Sequence, residues 1–109
     1  MSEKVIQNCV RIAAARMGMV LLRNNCGTLQ DRQGRYVTYG VGNPGGADLV
    51  GWWSKNGVAV FVAVEVKIPG KKPTQAQANF LLAVNNAGGI GICVHSVEEF
   101  TELLKERMP

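Results

Sequence analysis

The chain has 109 residues, 47% hydrophobic and 18% charged, which suits one folded domain over residues 1–109 and excludes a disordered polymer. No charge-free apolar run reaches about 18 residues, and Met1-Ser2-Glu3-Lys4 opens no signal-peptide core, so neither a membrane span nor export is expected and the cytoplasm is the expected location. The net charge of +4 suits a polyanionic partner without demanding one, and Cys9, Cys26 and Cys93, far apart and in no C-x-x-C pair, read as mostly buried free thiols rather than a zinc site or a disulfide framework.

The first element is a helix from Glu3 to Gly18, where Val5, Ile6, Cys9, Val10, Ile12, Ala13 and Met17 recur at helical spacing. Met19 to Arg23 reads as a short strand, Asn24 to Gly34 as a loop, and Arg35 to Tyr39 as a second strand. A glycine-rich turn from Gly40 to Ala47 leads into a strand from Asp48 to Trp53. Asn56-Gly57 is a hairpin turn signal. Val58 to Lys67 is the clearest strand, and its unbroken apolarity predicts burial on both faces. Pro69 and Pro73 bracket a loop carrying Lys71 and Lys72. Thr74 to Ala87 reads as a helix, Ile90 to Val94 as a strand, and Ser96 caps a last helix, with Glu99 completing a capping box. The fold class is α/β: a mixed sheet flanked by helices, with core order α-β-β-β-α-β.

Three charges interrupt this pattern. Glu65 and Lys67 end a strand that otherwise reads as core, and alternation puts them on one face. A two-residue turn at Asn56-Gly57 pairs Lys55 with Val58, and the same register carries Asp48 opposite Glu65, with Cβ atoms about 5 Å apart. Two such carboxylates repel unless a cation lies between them, and hard oxygen donors suit Mg2+ or Mn2+. Lys67 would orient or activate a water, or stabilise developing charge, in phosphodiester hydrolysis. The bland alternative is a buried salt bridge between Lys67 and Glu65, with Asp48 only capping the glycine turn.

Gly45-Gly46-Ala47-Asp48-Leu49-Val50-Gly51, Val64-Glu65-Val66-Lys67 and Thr74-Gln75-Ala76-Gln77 with Phe80 together resemble the VRR-NUC domain, the virus-type replication-repair branch of the PD-(D/E)XK nucleases. Arg23-Asn24-Asn25, Gly88-Gly89 and Ser96-Val97 also fit, so the resemblance covers nearly the whole chain. It implies a restriction-endonuclease-like fold and Mg2+- or Mn2+-dependent cleavage of DNA. It implies metal binding by Asp48, Glu65 and the Val66 carbonyl, with Lys67 as catalytic lysine and Glu3 and Gln77 as further catalytic positions. Stand-alone members of this size resemble phage proteins that act as homodimers on branched DNA such as four-way junctions, which would place the chain in a host cell's cytoplasm.

Each remaining residue carries two readings. Gln77 also completes a Thr74-x-x-Gln77 capping box, and Glu3 is also a favourable charge in a first helical turn. The turn at 40–47 lacks the Lys-Ser/Thr of a P-loop and precedes a strand, so it reads as a tight turn delivering Asp48. Arg23, Arg35, Lys71 and Lys72 are candidate DNA phosphate contacts or merely solvated charges. Trp52 and Trp53 face opposite ways on a strand, one in the core and the other more readily core than a dimer surface or stacking platform; His95 reads as a polar surface residue. The competing functions are a catalytically silent DNA-binding module with a nuclease-like fold and an α/β protein unrelated to nucleic acid.

Overall fold

The computed structural model describes residues 1–108. Helix α1 runs over Glu3–Arg16, capped by the Ser2 hydroxyl, which accepts from the Val5 N–H at 3.2 Å. Its buried residues, Ile6, Val10 and Ala14, repeat every four positions and form one apolar stripe. The strands are β1 (Met19–Arg23), β2 (Gly27–Gln30), β3 (Tyr36–Tyr39), β4 (Leu49–Lys55), β5 (Val58–Val66) and β6 (Ile90–Val94). Helix α2 (Gln75–Asn86) joins β5 to β6, and α3 (Val97–Arg107) follows.

The main sheet has the order β1-β4-β5-β6. The first two pairings are antiparallel and β5 with β6 is parallel. Asn56 and Gly57 both have positive φ, as a two-residue hairpin turn needs, and Lys55 pairs with Val58. The same register carries Leu49 opposite Val64, so the predicted pairing is the observed one. Along β5, Val62, Val64 and Val66 join the core shared with α1 and α3. Ala63 packs with Leu81 and Val84 of α2 on the other face. Alternation therefore points Glu65 to the α2 face, and the antiparallel and parallel pairings bring the start of β4 and the ends of β1, β5 and β6 to one rim of the sheet.

The structure departs from the sequence expectations in several places. The stretch read as a loop contains β2, which pairs only with β3 as a separate two-stranded arm (register Gly27 with Tyr39). Arg35–Tyr39 thus contributes to the arm and not to the main sheet; with the arm set aside, the core order is the predicted α-β-β-β-α-β. Strand β5 is buried on both faces only from Val62 onward, because α2 does not extend over its exposed beginning. Trp53 packs against the core, but Trp52 is 44% exposed, on a sheet face that also leaves Leu22 and Phe61 exposed. Ser96 does cap α3, but Glu99 Oε1 accepts from the N–H of His95, one residue before the cap, because the His95 ring also draws it at 3.0 Å. The cysteines are free, with Cys26 exposed and the other two half-buried.

Phe100 is fully buried in α3, where it ties the helix to the core under β5 and β6. Phe100→Ala is expected to cost about 3–5 kcal/mol, read as a lower urea midpoint at an unchanged m value.

Candidate active site

The rim where the four strands meet carries the predicted acids. Glu65 is 2% exposed, although every other residue of the buried core is apolar. Asp48 sits just before β4, and its Oδ2 accepts from the Val66 N–H at 2.8 Å. That bond pins the Asp48 carboxyl against the end of β5, beside the Glu65 carboxyl. Gln77 enters from α2 and donates to Glu65 Oε1 at 3.4 Å. The other end of the same amide accepts from the Thr74 N–H at 2.8 Å, while Thr74 Oγ1 accepts from the Gln77 N–H. Gln77 therefore closes the capping box and contacts the buried acid at the same time. Glu3, from the first turn of α1, reaches the same rim, where its Oε2 accepts from the Ile68 N–H at 3.3 Å.

Sequence reasoning gave Asn24 no role, yet Asn24 delivers Asp48. Its Nδ2 donates to the carbonyls of Val41 and Ala47, and its Oδ1 accepts from the Val41 N–H. Its own N–H donates to the Asp48 carbonyl at 2.8 Å. One side chain thus closes the whole excursion from β1 to β4. An asparagine following an apolar strand was the available signal, but its partners lie 17 and 23 residues away. Gly45 has φ +89 and lies against the Ala76 carbonyl, so the turn can close onto the start of α2 only with no side chain there.

Glu65 is strongly perturbed. Burial first, then the adjoining Asp48 carboxylate, push its carboxyl from 4.5 up to about 8; Lys67 opposes this and Glu3 adds to it. Cys93, beside it on β6, is pushed up to about 11 by burial and by Glu65, so its thiol stays protonated at neutral pH. His95 is raised as its ring bonds the Lys71 carbonyl and Glu99. It fastens the β5–α2 loop to α3, a structural role.

Among the described residues no ion pair within 4.0 Å joins Lys67 to Glu65, which removes the simple salt-bridge alternative. Arg23 ends β1 at the same rim, with Nη2 donating to Gln7 at 3.3 Å. Lys71 and Lys72 are exposed in the loop leaving β5. Arg35 lies farther out, in the arm's turn, ion-paired with Asp31 at 2.8 Å, which offsets its charge.

Among the described residues no three His, Cys, Asp or Glu side chains converge as a metal cluster. The site nevertheless fits a hard cation. Glu65 Oε2 is buried without any hydrogen-bond partner, beside a second carboxylate. Two acids side by side, one with a partnerless buried oxygen, suit an ion that keeps several of its own waters. Mixed-sheet architecture with acids at one rim defines the class: this is the PD-(D/E)XK-like nuclease fold. Residues 4–98 match the VRR-NUC domain, and the chain belongs to that family, whose members are nucleases acting on DNA. The match begins one residue after Glu3. No curated protein and no solved structure matches the chain.

A carboxyl raised from 4.5 to about 8 stabilises the fold fully below the ordinary carboxylate range and loses that contribution as pH rises towards 8. Without divalent ions, Glu65→Gln should therefore melt higher than the parent at pH 8, by at least about 4 °C. The gap should close towards pH 4.5; an equal gap at both pH values would contradict the assignment.

Proposed function

We propose that the chain is a divalent-metal-dependent endonuclease that hydrolyses phosphodiester bonds in structured or branched DNA, four-way junctions among them. The observation that carries the metal dependence is the orphaned Oε2 of Glu65 next to Asp48. A buried acceptor with no partner costs about 1–3 kcal/mol or more, and a cation supplies that partner. Asp48, Glu65 and the Val66 carbonyl would hold Mg2+ or Mn2+, which lowers the pKa of water and offsets charge on the phosphate when bound.

The remaining roles belong to the protein's own groups. Gln77 keeps the Glu65 carboxylate aimed, and Asn24 and the Val66 N–H keep Asp48 beside it. Lys67, on the same strand face as Glu65, orients the attacking water and stabilises negative charge as it develops on the phosphate. Glu3 adds a further acid at the rim. Arg23, Lys71 and Lys72 border the rim and would hold flanking phosphates, with Arg35 reaching a more distant one.

Two cuts across a two-fold junction need two sites, so we further propose a homodimer. The exposed apolar residues Leu22, Trp52 and Phe61, neighbours on one sheet face, support pairing with a second copy. No helix among the described residues is long and apolar enough to cross a membrane. The competing reading is a DNA-binding module without turnover. The intact acid pair and Lys67 speak against it.

A cleavage panel decides between them: single strands, duplex, flaps and four-way junctions, each with EDTA, magnesium or manganese. Branched forms should be cut only with the metal. Asp48→Asn and Glu65→Gln should each reduce cleavage at least about 100-fold while retaining DNA binding. Tight binding without cleavage of any form under any condition would establish the silent module instead.

A further inference from the structure

A groove of about 900 Å3 opens beside Asp48. One wall is the first turn of α2, with Thr74, Ala76 and Gln77. The opposite wall is the root of the β2–β3 arm, with Asn25, Cys26 and Tyr39. Tyr39 supplies the aromatic surface in this lining, and it is 45% exposed. Its ring lies directly across Gly27, its partner on β2; a Cβ at Gly27 would fall 2.7 Å from the ring's Cζ. The missing side chain at position 27 leaves the ring a fixed seat. The arm's root is held by the bonds of Asn24 to Val41 and Ala47 and by Asn43 Nδ2, which donates to the Gly27 carbonyl at 2.8 Å. The ring and Asp48 are therefore anchored through the same short stretch of chain.

We infer that Tyr39 is a stacking platform for an unpaired base next to the scissile phosphate, and that the arm thereby selects DNA whose strand is locally open. This rests on the nuclease reading above and deepens it. An aromatic side chain stacks on any base that is free to leave its helix, with little regard for sequence. A continuous duplex offers no such base, since each is already stacked on its neighbours. A ring held at the mouth of the groove therefore favours flaps, junction branch points and single strands over intact duplex. Tyr36 belongs to the same arm but, three positions away, projects from the opposite face, so it serves as an internal control.

The test compares kcat/KM on a flapped substrate, unpaired at the cleavage site, with that on continuous duplex. Tyr39→Ala should narrow the flap-over-duplex preference by about tenfold, mainly through KM on the flap. Tyr39→Phe keeps the ring and should keep the preference; Tyr36→Ala should leave it unchanged. In parallel, 2-aminopurine at the unpaired position should lose fluorescence when the wild-type protein binds in EDTA, and should not when Tyr39→Ala binds. An unchanged preference in Tyr39→Ala, or equal quenching by both proteins, overturns the inference. A wild-type protein that binds but cuts no DNA overturns the nuclease reading instead, and the fluorescence arm still decides the stacking.

Discussion

The structure turns on one expensive arrangement: a glutamate in the core, with one oxygen held by Gln77 and the other facing a second acid without a donor. Nothing local favours it. It is imposed by the packing of its neighbours. Val64 and Val66 are fully buried against the α1 and α3 core, so alternation gives Glu65 no choice of face. Sliding β5 by one residue would bring those valines to the α2 face and press the acid into the main core. The apolar residues thus set the position of the charged one, and fold stability is what keeps the acids together.

Gln77 shows how closely the helix and the acid are linked. A capping box accepts glutamate or glutamine at its third helical position, because either can bond the N–H of the cap. Only the amide can do so and still present a donor on its other side. Glutamate here would cap α2 equally well but would place another carboxylate against Glu65 and Asp48, adding repulsion to the burial that already raises the Glu65 carboxyl. The residue that ends the helix correctly is thus restricted further by the site it faces. Reading it only as a cap or only as a site residue misses this joint constraint.

The same reasoning explains what was legible beforehand. Asn56-Gly57 fixes a turn type, the turn fixes a register, and the register places Asp48 by Glu65; each step is local chemistry. Helix α1 and the halves of the sheet it covers were legible because their apolar spacing reports burial. Of the arm, β3 was legible as a strand but β2 was not, since Gly27-Thr28-Leu29-Gln30 has no core to face and its pairing with Tyr36–Tyr39 leaves no alternation of apolar and polar residues. Trp52 misled for a related reason: hydrophobicity says that burial is favourable, not that a partner layer is present, and α2 covers β5 and β6 but leaves that part of the sheet open. Glu99 matched the capping pattern, but the histidine just before the cap redirected it.

The position of the arm separates two tasks that share one rim. Strands β1 and β4 are antiparallel neighbours, so a short turn could join them directly, but the chain leaves at Asn24 and returns at Ala47. Such an excursion has an entropic cost that grows only slowly with its length, and the Asn24 amide closes it across its narrow neck with three hydrogen bonds. Because closure happens at the neck, changes farther along the arm leave the path into Asp48 intact. The acids lie on the rigid sheet, where their spacing is set by register, whereas the aromatic surface proposed to meet the substrate lies on an element without a core of its own. On the proposed reading, cleavage chemistry and the choice of DNA can therefore vary independently: the first is tied to β5 and its valines, and the second is open to substitution along β2 and β3.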